Sequence, residues 1–293
     1  MHTEQLNSSN KKASYWKDVA RQFFKNKIAV LGLFILSAIV ALCAFAPLFT
    51  SYDPVKDMVL ADMLLPPGSP GHLLGTDDYG RDILSRLLYG GRSSVLTGLT
   101  VALLSAFAGI FIGCISGYFG GWLDSLLMRI TDIMLSFPFL IIAIAIMAAL
   151  GASQKNIVIA LAIVSWPNFA RLTRSQVMAV REQEYVESAK AAGFKNSRIM
   201  LGHILPNCIG PLIIQTTLSV GSAILSSASL NFLGLGADAS LPDWGAMLNQ
   251  GRNYLQNAPY LTTIPGIAIS LTVLSVNWIG DGLRDAFDPK LRK

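Results

Sequence analysis

The sequence predicts an all-α membrane protein of six transmembrane helices with both termini on the cytoplasmic side. Three observations predict it. Of 293 residues, 52% are hydrophobic and only 14% charged, against about a quarter charged in an ordinary soluble domain, and the mean hydropathy is +0.49. The apolar residues gather into blocks that approach the ~20 residues a helix needs to cross about 30 Å of hydrocarbon. Lys and Arg fall unevenly on the two sides that such a chain would have, and basic residues favour the cytoplasmic side.

Six runs qualify as spans: Ile28–Phe49, Val95–Tyr118, Leu126–Leu150, Ile157–Leu172, Ile209–Leu233 and Leu261–Ile279, of which the fourth is the shortest. Ala44-Phe45-Ala46 offers a small-x-small cleavage site at the end of the first run. That run exceeds the roughly 7–15 apolar residues of a signal peptide, so it is read as a retained anchor.

Sidedness follows from the cations. Lys11, Lys12, Lys17, Arg21, Lys25 and Lys27 precede the first span. Arg171, Arg174, Arg181, Lys190, Lys195 and Arg198 lie between spans four and five, and Arg284, Lys290, Arg292 and Lys293 follow span six. Against these sixteen, the opposite side holds six: Lys56, Arg81, Arg86, Arg92, Lys155 and Arg252. This asymmetry accounts for the net charge of +5 without nucleic-acid binding. The chain then divides into a cytoplasmic tail (1–27), a first span with an extracytoplasmic loop (28–93), and a core (94–293) of five spans with a cytoplasmic loop at 173–207.

In chain order, "SYDPVKDMVLADMLLPPGSPGH" after span one carries Pro and Gly and reads as irregular. "LGTDDYGRDILSRLLYGGRSS" places Ile83, Leu84, Leu87 and Leu88 on one helical face and Asp82 and Arg86 four apart, a spacing that permits an ion pair. With Gly90 and Gly91 as its end, it predicts a short amphipathic helix, either on the outer membrane surface or as a solvated helix that positions span two. Gly109, Gly113 and Gly117 in span two recur every four residues, a spacing at which helix backbones approach closely in lipid. Span three opens with Arg129 and Asp132 three apart, read as a structural ion pair. Pro138 should kink it, with Ser136 satisfying a freed carbonyl. Trp244 is read either as an interfacial anchor or as a partner contact. Asp281, Arg284, Asp285 and Asp288 read as a network closing the last helix. Cys43, Cys114 and Cys208 stand singly, as do His2, His72 and His203, so neither a disulfide framework nor a metal site is expected.

One polar stretch stands among the apolar blocks: "EYVESAKAAGFKNSRIMLGHILPN", Glu184 to Asn207. Tyr185–Ala192 reads as a helix with a thin flank of Ser188, Ala189, Ala191 and Ala192. Gly193 supplies the positive φ that ends a helix. Asn196 or Ser197 caps a second helix, Arg198–Leu205, and Pro206 turns the chain into span five. A shaped loop about 35 residues long exceeds what joining two spans requires. A thin helix of this kind suits seating in a groove of another protein.

The stretch resembles the EAA loop of permease subunits of bacterial ABC importers. Glu187, Ala189, Gly193, Leu205 and Pro206 match that pattern, Ser188 replaces its first Ala, and His203 stands where Ile is usual. "HLLGTDDYGRDILSRLLYGGRSS", "RITDIMLSFPFL", "NFLGLGA", "PDWGAML" and "IGDGLRDAFDPKLR" extend the resemblance over nearly the whole chain, to the C-type permease of the dipeptide/oligopeptide/nickel importers. The resemblance implies the type I ABC importer permease fold and a multi-pass place in the bacterial inner membrane. It implies three kinds of partner: a second related permease as heterodimer, two cytoplasmic ATPases, and an extracytoplasmic solute-binding protein. ATPase docking falls by this resemblance on Tyr185, Glu187, Ser188, Ala189, Ala192, Gly193 and Pro206. No G-x-x-x-x-G-K-[ST] loop occurs, so the chain is expected to hold no cofactor and to leave ATP to the partner subunits. The expected cargo is di- or oligopeptide, with nickel chelate, opine or glutathione as alternatives. A secondary transporter would need paired ionisable groups near the midplane, which the spans lack.

Overall fold

A computed structural model describes residues 16–236 and 240–288 of the 293. Lys11, Lys12, Lys290, Arg292 and Lys293 of the cation asymmetry, with His2, lie outside the described residues. Helices build the structure: α1 (residues 16–25), α2 (Lys27–Ala44), α3 (Ala46–Phe49), α4 (Ile83–Phe119), α5 (Gly121–Ser136), α6 (Phe139–Leu150), α7 (Gln154–Arg181), α8 (Glu184–Ala191), α9 (Asn196–Phe232), α10 (Trp244–Gly251) and α11 (Tyr260–Phe287). No strand occurs among the described residues, only two isolated bridges.

Five helices, α2, α4, α7, α9 and α11, are each long and apolar enough to span, and α5 with α6 makes a sixth if the bent pair is one span. Pro138 does more than the expected kink: α5 and α6 meet at 93°. Without an N–H and with a ring that crowds the preceding turn, proline breaks the hydrogen-bond ladder. Ser136 Oγ donates to the Ile133 carbonyl at 2.7 Å, as expected of it.

α4 and α7 pack along the glycine stripe. A Cβ at Gly109, Gly113 or Gly117 would come within 2.3, 2.5 and 2.8 Å of Phe169 Cβ, the Ala170 carbonyl and the Arg174 carbonyl. The small residues are therefore a requirement of contact between the two backbones. α9 packs beside this pair, α11 beside α9, and α2 on the outside of α11.

Two expectations fail here. The amphipathic helix at Ile83–Leu88 is not a separate surface element. It is the first turns of α4, a single helix of 37 residues, with Ile83 and Leu88 buried. Gly90 and Gly91 end nothing; they admit neighbours. A Cβ at Gly90 would lie 3.1 Å from the Asp243 nitrogen, and one at Gly91 2.3 Å from Cys43 Sγ and 2.7 Å from the Trp244 ring.

Nor does Pro206 turn the chain. Arg198–Leu205 and span five form one helix, α9, of 37 residues, through a π turn at Met200–Ile204 in which Leu205 N–H donates to the Met200 carbonyl. The widened turn shifts the bonding register just ahead of the proline, so its missing donor and its ring are accommodated without ending the helix.

Candidate functional site

Between α4, α7 and α9 lies a cleft of about 260 Å³. Ser105 of α4 and Ser165 and Asn168 of α7 face it, and α9 supplies Gln215, Ser219, Ser222 and Ser226. Val101, Leu161 and Phe139 add apolar wall. The α9 residues are spaced four, three and four apart, which puts them on one helical face. No charged side chain is among the lining residues. Serine hydroxyls can bond to carbonyls of the helices, as Ser222 does to Leu218 and Ser105 to Ala162, but the Asn168 and Gln215 carboxamides would lack partners if they faced lipid, so this face fits one that meets water, solute or another subunit. Reading the sequence by span length passed over these residues, although the serine spacing in "QTTLSVGSAILSSASL" was the signal.

The walls of this cleft are joined by α8, which lies between the end of α7 and the start of α9. Its end is a Schellman closure: Gly193 N–H donates to the Lys190 carbonyl at 2.9 Å and Phe194 N–H to the Ala189 carbonyl at 3.2 Å, with Gly193 at φ +77°. A Cβ on Gly193 would meet nothing within 4 Å, so the demand for glycine here is conformational.

Of the residues assigned to docking, Tyr185, Glu187, Ser188, Ala192, Gly193 and Pro206 are exposed. Ala189 is not; it is 6% exposed and packs with Val186 into a cluster with Tyr118, Val177, Ile199, Ile204 and Cys208. Its small size serves the chain's own packing, because the i, i+3 face it shares with Val186 is the one that rests on the bundle. Asn196 does not cap the second helix, whose N-cap is Lys195 without a side-chain bond. Its Oδ1 accepts instead from the Tyr118 hydroxyl at 2.8 Å. Arg181 Nη1 donates to the Tyr118 carbonyl at 2.9 Å. Near this end Arg174 forks onto both oxygens of Asp124, at 2.5 and 2.6 Å, and so braces α5 to α7; Ser116 of α4 also donates to Asp124.

Three expected pairings are replaced. Asp132 pairs with Arg171 at 2.8 Å rather than with Arg129, and both partners are exposed, so the pair adds little stability. Among the described residues no ion pair joins Asp281 and Arg284; Asp285 instead accepts from Asn26 Nδ2 at 3.0 Å. Asp82 and Arg86 turn apart. Asp82 caps α4, accepting from Ser85 N–H at 2.7 Å, and pairs with His72 Nδ1 at 3.0 Å. Arg86 faces Asp77 at 3.4 Å and donates to the Pro54 and Ser240 carbonyls. The cause is Asp77, which also holds Arg81 at 2.7 Å and so draws two cations to one buried carboxylate.

At this same end Trp244 is neither anchor nor free contact: it is 1% exposed, and its Nε1 donates to the Leu87 carbonyl at 2.8 Å. Asp243 beside it accepts from Ser94, Asn231 and Gly245. Burial raises its carboxyl above the usual range in spite of the Ser94 hydroxyl and the Gly245 N–H. Asp78 is raised as well, first by burial and then by Asp77.

A family model described as "Binding-protein-dependent transport system inner membrane component" matches residues 109–293, and one described as "N-terminal TM domain of oligopeptide transport permease C" matches 14–67. The chain is 48% identical to the dipeptide transport system permease protein DppC of Alkalihalophilus pseudofirmus over 95% of its length and 91% of the relative's. It is 41% identical to the oligopeptide transport system permease protein OppC of Bacillus subtilis, covering 97% and 93%. It is 40% identical to the glutathione transport system permease protein GsiD of Pectobacterium atrosepticum, covering 94% and 92%. Among solved structures, a chain of the inward-facing MetNI methionine ABC transporter superposes with a TM-score of 0.58 at 16% identity, covering 69% of this chain and 97% of that one.

Proposed function

The chain belongs to the family of binding-protein-dependent transport system inner membrane components, and from that premise we propose that it is one permease subunit of an ATP-driven importer of di- and oligopeptides. It forms half of the translocation path, and a related permease supplies the other half. Two ATPase subunits on the cytoplasmic side dock on α8 and on the corresponding loop of the related permease, and an extracytoplasmic binding protein delivers the peptide. ATP is bound and hydrolysed by those partners.

The observation that carries this reading is the linkage of cleft and docking helix. α8 joins the two helices whose polar residues form facing walls of the cleft. A displacement of α8 therefore moves Ser165 and Asn168 on one wall and Gln215 to Ser226 on the other. A rigid α8, closed on Gly193 and seated through Val186 and Ala189, transmits such a displacement instead of absorbing it. The uncharged lining suits a peptide, whose amides exchange hydrogen bonds with hydroxyls and carboxamides and find no fixed charge that would hold either terminus. The relatives' cargoes, dipeptides, oligopeptides and the tripeptide glutathione, share that chemistry.

The test is uptake of a labelled dipeptide by the complete transporter in proteoliposomes, with Ser222→Trp filling the cleft. Uptake should be lost while the ATPase subunits still co-purify. Normal uptake by a correctly assembled Ser222→Trp transporter would remove the cleft as the path.

A further inference from the structure

α1 precedes the first span by a single non-helical residue, Asn26. Asn26 Oδ1 accepts from the N–H groups of Ile28 and Ala29, both at 3.1 Å, which starts α2, while its Nδ2 reaches Asp285. One face of α1 is fully taken. Val19 and Phe23, 4% and 8% exposed, pack with Ala29 and Ala286, with Leu283 and Phe287 at the edge. The Trp16 ring meets Phe287 edge-on at 5.9 Å. α1 is thus fixed against the last turns of α11, at the end of the bundle that carries α8, since Trp16 and Tyr185 line one groove.

The other face is basic. Lys17, Arg21 and Lys25 are exposed and four apart, so they form one stripe. Phe24, 62% exposed, lies beside it, and Asp18 is the one acid on the exposed surface of α1. Lys25, at the near end of this stripe, lies two residues before the first residue of the α2 span. Basic stems reach the layer of lipid headgroups while an aromatic ring beside them dips below it.

We propose that the Lys17–Arg21–Lys25 face of α1 binds anionic phospholipid headgroups of the leaflet at the α8 end, fastening the end of α11 to the bilayer surface. The charge is complementary, because cytoplasmic leaflets are anionic and attract basic segments next to a span. The height follows from the one-residue link to α2. Val19 and Phe23 are buried against the end of α11, which leaves the basic stripe, with Ala20 and Phe24, on the exposed side of α1. This inference needs the chain to span a membrane but does not depend on its cargo.

The experiment uses the complete transporter in nanodiscs of phosphatidylcholine doped with phosphatidylglycerol. Benzoylphenylalanine placed at Ala20, exposed beside the stripe, should crosslink phosphatidylglycerol. The triple variant Lys17→Gln, Arg21→Gln, Lys25→Gln should retain on the order of a hundredfold less of that lipid through purification, and salt should lower retention by the wild type. A control that neutralises Lys56, Lys155 and Arg252 at the far end should retain it like the wild type. All substituted positions are solvent-facing or partly so, and subunit co-purification checks assembly. Equal retention by the triple variant and the wild type, or a crosslink to an ATPase subunit in place of lipid, overturns the proposal.

Discussion

The end of the bundle that carries the long loop holds Asp77, Arg81, Asp82 and Arg86 almost dry, whereas the end that carries α8 leaves Glu184, Tyr185, Glu187 and Ser188 in solvent. At the first end the chain satisfies itself: Arg86 reaches Pro54 and Ser240, Asp243 is held by Ser94 and Asn231, Trp244 bonds Leu87, and the Tyr260 hydroxyl donates to the Leu65 carbonyl. At the second, α8 rests on two buried side chains, Val186 and Ala189, and projects the remainder. The difference separates a region whose polar groups are satisfied within the chain from one whose polar groups are left open to solvent, the face that the proposed ATPase docking uses. Substitutions at the loop end should therefore lower the amount of folded protein, and those at the α8 end should lower transport by protein that is still there.

The largest effect is expected from Arg86→Met. It leaves Asp77 with one cation and strands carbonyl acceptors in a site that is 1% exposed. Removing one partner of a buried charge pair costs about 3–5 kcal/mol. Thermal unfolding in detergent should shift down sharply, and membrane abundance should fall. An unchanged midpoint would erase the contrast between the two ends.

Gly193→Val comes next. A β-branched residue at φ +77° is strained by about 1–3 kcal/mol, and the strain lies in the α8 closure, away from the spans. Insertion should persist while peptide uptake and ATPase retention fall together. If abundance drops as far as with Arg86→Met, α8 belongs to the fold and not to the docking surface.

A matched pair sharpens the comparison within α8 itself. Ala189→Leu overfills the cluster around Tyr118 and Val177, at about 1–3 kcal/mol, and should destabilise the chain. Ala192→Leu points outward and should leave stability unchanged while weakening co-purification of the ATPases. Identical outcomes from the two would mean that the buried and exposed flanks are wrongly assigned.

The smallest effect concerns pH. Because the folded carboxyl of Asp243 is raised, the folded state takes up its proton more readily than the unfolded state. Its contribution to stability is fully present below the unfolded value and is lost as pH rises through the folded one. The wild type should therefore gain stability relative to Asp243→Asn as pH falls from neutral toward the ordinary carboxylate range, measured by paired thermal melts. A constant difference across that range would show that burial does not perturb this group.

Much of this arrangement was legible in the residues. Spans announce themselves by length and hydropathy, the glycine stripe by its four-residue spacing, and Gly193 by the helix it ends. What was not legible turned on distant partners. Gly90 and Gly91 look like a helix end, yet they exist because the Asp243 backbone and Trp244, some 150 residues later, lie against α4. Asp82 and Arg86 sit at pairing distance along the sequence, but Asp77 competes for Arg86, and His72 and Ser85 for Asp82. The cleft was missed for another reason. Serines inside a span are ordinary helix-packing residues, and only the 215, 219, 222, 226 register, set against Ser165 and Asn168 on α7, makes them a wall.

The right-angled break at Pro138 has a bearing on the bilayer itself. α6 has 12 residues, about 18 Å of rise, against a hydrocarbon layer of about 30 Å, and α5 turns aside instead of making up the difference. Were α6 to face lipid by itself, the layer beside it would have to thin, at an energetic cost for each ångström of mismatch. A sister subunit laid against that flank would relieve the mismatch.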